Sequence, residues 1–435
     1  MSAGLEPENQ SERPLSPEGA VFAMVVLTSM NLLNYIDRYV PSAVKDLFKN
    51  DLGLTDTQTS LPFSAFVLVY MVASPIFGGL ADRYSRKWLI ALGVALWSAA
   101  TASAALAVGF WTFFLARALV GVGEAAYATI APSLLADFFP PSRRNRILTL
   151  FYVAIPVGAA LGFILGGLIG QHYGWRIAFL VCGLPGVLAA GLALFIKEPQ
   201  RGAFDRQEEA GRPPSWREAL SSLGKNRTYV LAVAGYAAVT FAAGGMAEWF
   251  PAFLMRYRSM DVAEAGSLVG TVTVAGGLGG TLLGGLLADR LGRWTKNPYL
   301  ALSGLSMIPS AVFAALAIVV QTKLAVGACI FLAQFFLWFY NGPINTVIVN
   351  AVKSSMRARA FGLSTLAIHL LGDAISPPLI GQISDRVGDL RPGILLIPLT
   401  MLVGAFIWLY AWRRIEPMSS NQAPGSESQG PEEGA

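Results

Sequence analysis

Long apolar blocks constrain this chain more than any motif does. Twelve stretches read as membrane spans: residues 20–46, 57–81, 87–107, 110–138, 143–171, 176–196, 227–256, 262–290, 297–320, 323–352, 356–385 and 391–414. Each holds about 20 residues or more, enough to cross roughly 30 Å of hydrocarbon at the rise of an α-helix. Lipid offers a bare backbone no hydrogen bonds, so such blocks fold as helices. Composition agrees, with 54% apolar and only 14% charged residues, against about 25% charged in soluble chains. Mean hydropathy is +0.53. A soluble enzyme, a nucleic-acid binder and a disulfide-stapled secreted module are excluded. Cys182 and Cys329 lie singly in apolar stretches and suggest no disulfide or metal framework.

A polar gap at 197–226 divides the spans six and six. The chain therefore reads as a tail over 1–18, a six-helix bundle over 19–196, a linker over 197–226, a second bundle over 227–414 and a tail over 415–435. Both tails are polar, and their composition reads as disordered. Lys and Arg set the orientation. With a cytoplasmic N-terminus, 22 of them fall in cytoplasmic segments and 8 on the opposite side. Both termini are therefore expected in the cytoplasm, and the net charge of +5 has this topological use. The expected fold is an all-α membrane protein of twelve transmembrane helices in two bundles.

The two halves repeat. GGLADRYSRK closes the second span and GLLADRLGR closes the eighth, with Asp82 and Asp289 in matching places 207 residues apart. A weaker match pairs Ser142, Arg144 and Arg146 with Ser355, Arg357 and Arg359. Same-sense repeats of six helices suggest two bundles related by an axis along the membrane normal.

Charges within spans come next, because each costs about 2.5–3.5 kcal/mol at mid-bilayer. Asp37 and Arg38 lie in the first span, Arg117 and Glu124 in the fourth. Arg117 and Glu124 are two turns apart on one helix face, with Gly121 between them. Asn31, Asn34 and Arg38 form a stripe beside Asp37. One reading is a static ion-pair network that fixes helix register. The other is a protonation and coupling site, where a carboxylate trades its proton for an Arg partner and a bound anion displaces it.

The second half does not mirror these charges. Span 10 carries Gln334, Phe335, Trp338, Tyr340, Asn341 and Asn345, span 7 offers Tyr236, and span 11 offers His369 and Asp373. With Tyr127 from span 4, these are candidate cavity residues. The expectation is a charged wall in the first half facing an aromatic, weakly polar wall in the second. That suits an ionic head with an apolar tail, though each aromatic has a packing alternative. Glu248 falls near the outer end of its span, where a carboxylate is cheap.

GGLADRYSRK resembles motif A of the major facilitator superfamily, with Ser85 in place of its second glycine. LARALVGVGEAAYATIAP resembles that superfamily's motif B. NYIDRYV, RALVGVGEA and HLLGDAISPPLIG are similar to the Spinster group. The resemblance implies two bundles that rock about a central site, with Asp37 and Arg117 in coupling. It implies a cytoplasmic gate built on Gly78, Asp82, Arg83, Arg86, Asp137, Arg143, Asp289, Arg290 and Arg293. There Asp82 would meet the start of span 11, Arg86 would reach Asp137, and Asp289 would meet the start of span 5. It also implies that spans 5 and 8 meet across the halves, which Gly158, Gly162, Gly166 and Gly170 on one and Gly276, Gly280 and Gly284 on the other would smooth.

The expected function is proton-coupled transport of an amphipathic, anionic, lipid-like molecule. Lysophospholipids and sphingosine-1-phosphate are the substrates the resemblance implies. Alternatives are a proton-coupled carrier of small organic anions, a multidrug exporter, or an uncoupled lipid-flipping or lipid-sensing protein. The coupling ion would be H+, with no other cofactor and no metal. Partners would be the substrate and membrane lipids, without nucleic acid, and the protein would be monomeric. Short loops and Ala/Gly-rich helices suggest a bacterial inner-membrane protein.

Overall fold

The computed structural model describes residues 17–201, 216–352 and 356–415. Most of the two tails, the middle of the linker and Ser355 lie outside the described residues. Among the described residues, twelve helices are long and apolar enough to cross a membrane, and there is no strand. An even number of crossings puts both ends of the chain on one side, here called the near side. The opposite side is the far side.

The first half comprises α1 (Pro17–Ala43), α2 (Lys45–Leu52), α3 (Asp56–Ala81), α4 (Arg86–Ala104), α5 (Phe110–Ala136), α6 (Pro141–Tyr173) and α7 (Trp175–Ala193). A short helix, α8 (Trp216–Lys225), precedes the second half: α9 (Arg227–Arg258), α10 (Val262–Leu291), α11 (Pro298–Val319), α12 (Lys323–Leu337), α13 (Asn341–Asn350), α14 (Arg357–Ile368), α15 (Ser376–Val387), α16 (Leu390–Ile394) and α17 (Leu396–Arg414). Caps punctuate the loops. Thr55 and Asp261 each close a capping box at the starts of α3 and α10.

Two spans are broken, and proline explains both. The tenth tightens into a 3-10 turn at Trp338–Tyr340, just before Asn341-Gly342-Pro343. The eleventh opens into a π turn at His369–Asp373, ahead of Pro377 and Pro378. Proline brings no N–H to the helix ladder, and the chain changes pitch beside it.

Each half has its own core. Trp97, Tyr127 and Phe151 anchor one in the first half, while Phe48, Phe113 and Phe179 anchor another at its far end. Trp249, Met307, Tyr340 and Trp408 lie in that of the second half. Val72, Leu92, Leu188, Leu282 and Phe406 are exposed on the outside, as a lipid-facing belt requires. Between the halves, α6 packs on α10 and α3 on α15.

The glycine stripes do not serve as expected. Gly158, Gly162, Gly166 and Gly170 face α1, where an added Cβ would meet Tyr35, Ile36, Ala43 and Val44. Gly276, Gly280 and Gly284 face α12 and the 3-10 turn at Gln334, Phe335 and Phe339. The α6–α10 contact uses Gly167, Gly266 and Gly270 instead. One residue turns a helix by about 100°, so Gly167 points away from the stripe it adjoins.

Candidate functional site

A cavity of about 410 Å³ lies between the halves. The two irregular turns bring Trp338, Tyr340, His369 and Asp373 to it, α9 adds Tyr236 and α13 adds Asn341. His369 Nδ1 lies 3.0 Å from both carboxylate oxygens of Asp373. Tyr236 and Tyr340 stack edge to face, with ring centroids 5.2 Å apart.

The first-half wall differs from the sequence expectation. It is aromatic too, formed by Tyr35, Tyr39, Phe63, Phe66 and Tyr70 around Arg38. The Arg38 guanidinium lies 4.7 Å from the Tyr35 ring centroid and 5.0 Å from that of Phe66. Charge and aromatic surface therefore occur on both walls. Phe63, Phe66 and Tyr70 recur at helical spacing on α3, a signal that was present in the sequence.

Behind Arg38 lies the charged group of α1 and α5. Arg38 Nη2 donates to Glu124 Oε2 at 2.6 Å, and Glu124 is fully buried. Asp37 and Arg117 are 1% and 2% exposed. Asp37 Oδ1 and Arg117 Nη1 have no hydrogen-bond partner among the described residues. Gly121 lets α3 approach: a Cβ there would lie 2.6 Å from the Phe66 carbonyl oxygen. Of the two arginines in this group, Arg38 is the one that pairs with Glu124.

Five expected cavity residues sit elsewhere. Asn31 Nδ2 donates to the Phe151 carbonyl at 2.9 Å. Asn34 is buried, and its Nδ2 has no partner among the described residues. Tyr127 is fully buried, its hydroxyl donating to the Leu27 carbonyl at 2.5 Å. Phe335 packs in a ring cluster with Phe331, Phe336 and Phe339. Asn345 Nδ2 donates to the Asn341 carbonyl at 2.7 Å. These side chains meet their own half's packing before they can reach the cavity.

On the near side, Arg86 is buried and donates to Asp137 at 2.6 Å and to Glu198 at 3.1 Å. Burial pushes the Glu198 carboxyl up, but bonds from Ser85, the Arg86 backbone and the Arg86 guanidinium outweigh it and hold it below its usual value. Arg201 donates to the Asp82 carbonyl. Gly78 leaves its nearest contact, Thr129, 3.7 Å from an added Cβ. Asp82, Arg83, Arg143, Asp289, Arg290 and Arg293 are exposed. Asp289 accepts from Tyr299 of its own half at 3.4 Å. The expected contacts of Asp82 with span 11 and of Asp289 with span 5 are not among those described. The tie between the halves that is seen lies at the other end.

At that far end Arg256 bridges Asp46 and Asp56, with bonds of 2.5–2.8 Å. Asp385 accepts from the backbone N–H groups of Asp56 and Thr57 at 2.8 and 2.9 Å. Deeper in, Lys45 pairs with Glu248 at 2.5 Å. Glu248 is 3% exposed, so it is not the cheap outer carboxylate that its position in the span suggested. Lys45, Asp56 and Arg256 were missed as site residues because basic and acidic residues beside spans read as topology charges.

Twelve spans in two halves around a central cavity define a secondary transporter. The Major Facilitator Superfamily model matches residues 27–377. Human protein spinster homolog 1 is 36% identical over 393 residues, covering 86% of this chain and 74% of that protein. The zebrafish (Danio rerio) sphingosine-1-phosphate transporter SPNS2 is 34% identical over 419 residues, covering 88% and 82%. This chain belongs to the Spinster family of the major facilitator superfamily, a family of transporters, not enzymes. Its fold matches the crystal structure of a bacterial homologue of the human lysosomal transporter Spinster, in an inward-facing and occupied conformation. The TM-score is 0.81 at 22% identity, covering 94% of this chain and all of that one.

Proposed function

We propose that this chain is a proton-coupled carrier of an amphipathic, lipid-like molecule with an anionic head, working by alternating access. One observation carries the reading. Asp37 and Arg117 are buried side by side with the Arg38–Glu124 pair, yet each keeps an unpartnered polar atom. Four ionisable groups sharing one ion pair form a set that gains or loses a proton by exchanging partners. Arg38 is the member that reaches the cavity, so an anionic head bound there would compete with Glu124 for it. The freed Glu124, or Asp37, would then take up the proton. The aromatic walls supply apolar surface for a tail, and a relative named as a sphingosine-1-phosphate transporter supports a lysolipid or sphingosine-phosphate class of substrate.

The near side is assigned to the cytoplasm by its Lys and Arg excess, and the membrane to a bacterial inner membrane. The protein would act as a monomer, with H+ as its coupling ion. The test uses purified protein in liposomes with an internal pH dye. A lysophospholipid, sphingosine-1-phosphate and gluconate are added in turn. A pH change seen only with the amphipathic ligands, and lost in Asp37→Asn, is the expected result. A response to gluconate alone would overturn the substrate class. Binding without any pH change would overturn the coupling.

A further inference from the structure

Helix α9 carries another buried carboxylate into the plane where the halves meet. Glu248 accepts a hydrogen bond from Ser42 Oγ and pairs with Lys45 Nζ at 2.5 Å. Lys45 is fully buried, its ammonium 3.7 Å from the Trp249 ring centroid and 3.5 Å from Ser60 Oγ. Ser42, Lys45 and Ser60 belong to the first half, Glu248 and Trp249 to the second. Trp249 is fixed in turn by its Nε1 donating to the Pro377 carbonyl at 3.0 Å. The break between α1 and α2 aims the lysine inward: α1 ends at Ala43 and α2 begins at Lys45.

This pair depends on conformation more strongly than a surface pair does. Both charges are out of water, and their mutual contact is the main offset to that cost. When the far side opens, the halves part between them and water solvates each. Other charged groups face the same place. Arg117 and Arg38 share a narrow cleft with Glu248. Asp56 and Arg256 act on Lys45 from the far end. Asp373, with His369, packs against α9 at Gly244. Among the described residues, Lys45 is the cation bonded to Glu248.

We infer that Lys45 and Glu248 form a charge latch that holds the far side shut, separate from the Asp37 group. Removing either charge strands the other in the interior. Opening hydrates the stranded charge, so the equilibrium shifts toward a far side that is open. The inference rests on the alternating-access part of the proposed function, and neither on the substrate nor on Asp37.

The test measures distances between spin labels at Val108 and Gln321, exposed far-side positions in the two halves, in full-length protein whose two native cysteines are replaced. The background carries Asp37→Asn, which removes the proposed coupling carboxylate. The parent should be mostly closed on the far side. Glu248→Gln and Lys45→Met should each raise the open-to-closed ratio by about tenfold or more. Lys45→Arg should keep a closed far side. Distance distributions in Glu248→Gln and Lys45→Met that match the parent would overturn the latch. Loss of transport in Asp37→Asn with these shifts intact bears on the coupling reading and leaves the latch standing.

Discussion

Arg38 and Glu124 close a 2.6 Å ion pair between α1 and α5, while Arg117, two turns before Glu124 on the same helix, keeps an unpartnered Nη1. Removing one member of a buried pair strands the other, at about 3–5 kcal/mol. Glu124→Gln is therefore expected to cut pH-driven substrate accumulation by more than about tenfold. Flux into proteoliposomes under an imposed pH gradient checks this, and wild-type accumulation would refute it.

Asp37 is the buried carboxylate of this group that makes no ion pair among the described residues. Asp37→Asn preserves its shape and removes its charge. Expression and thermal stability should hold while accumulation ceases to follow the pH gradient, with downhill exchange retained. A variant that still concentrates substrate against its gradient would remove Asp37 from coupling.

The aromatic walls predict a dependence on tail length. Each methylene moved from water to an apolar surface contributes about 0.8 kcal/mol, or about fourfold in affinity. Binding of a lysophospholipid series should strengthen by about that factor per methylene until the cavity of about 410 Å³ is filled, then level off. Affinity independent of chain length would argue for a small hydrophilic anion.

Gly266 lies where α10 meets α6, and an added Cβ would stand 2.4 Å from the Phe163 carbonyl oxygen. Gly266→Val should lower stability by about 1–3 kcal/mol through overpacking. Gly285 on the same helix has nothing within 4 Å, so Gly285→Ala should be neutral or mildly stabilising. Melting temperatures in detergent separate the two. Equal behaviour would show that the close approach carries no weight.

Glu198 ties the start of the linker to Ser85 and Arg86. Its carboxyl is held below the usual glutamate value because those hydrogen bonds outweigh the effect of burial. Stability from this contact is thus present above the unfolded value, about 4.3, and lost as pH falls through the lower folded one. Melting temperature should fall more steeply with acid in the wild type than in Glu198→Gln. Parallel curves would count against the contact.

The sequence was most informative where one physical force acts alone. Hydrocarbon thickness makes spans legible to within a few residues, and paired DR motifs expose the repeat. It was least informative where partners come from distant spans. Arg117 and Glu124 share a face of α5, yet Glu124 pairs with Arg38 because α1 offers a closer guanidinium. Gly158 through Gly170 read as a smooth stripe without revealing that α1, not α10, lies against it. Trp338 and His369 were legible as cavity residues, but not the 3-10 and π turns that deliver them, since a proline marks a break without specifying its pitch. Lys45 looked like a loop charge because the helix break just before it, at Val44, is invisible to hydropathy.

The burial of Lys45 also orders the protein's assembly. Its carboxylate partner Glu248 lies on α9, and Ser42, which bonds the same carboxylate, precedes it by 206 residues. During synthesis α1 and α2 emerge long before α9 exists, and a lone lysine cannot rest in that interior unpaired. The outer end of the first half must therefore wait, wet and unfinished, until the seventh span enters the membrane. The two halves repeat in sequence, but they are not independent as folding units: the first borrows an anion from the second to be complete.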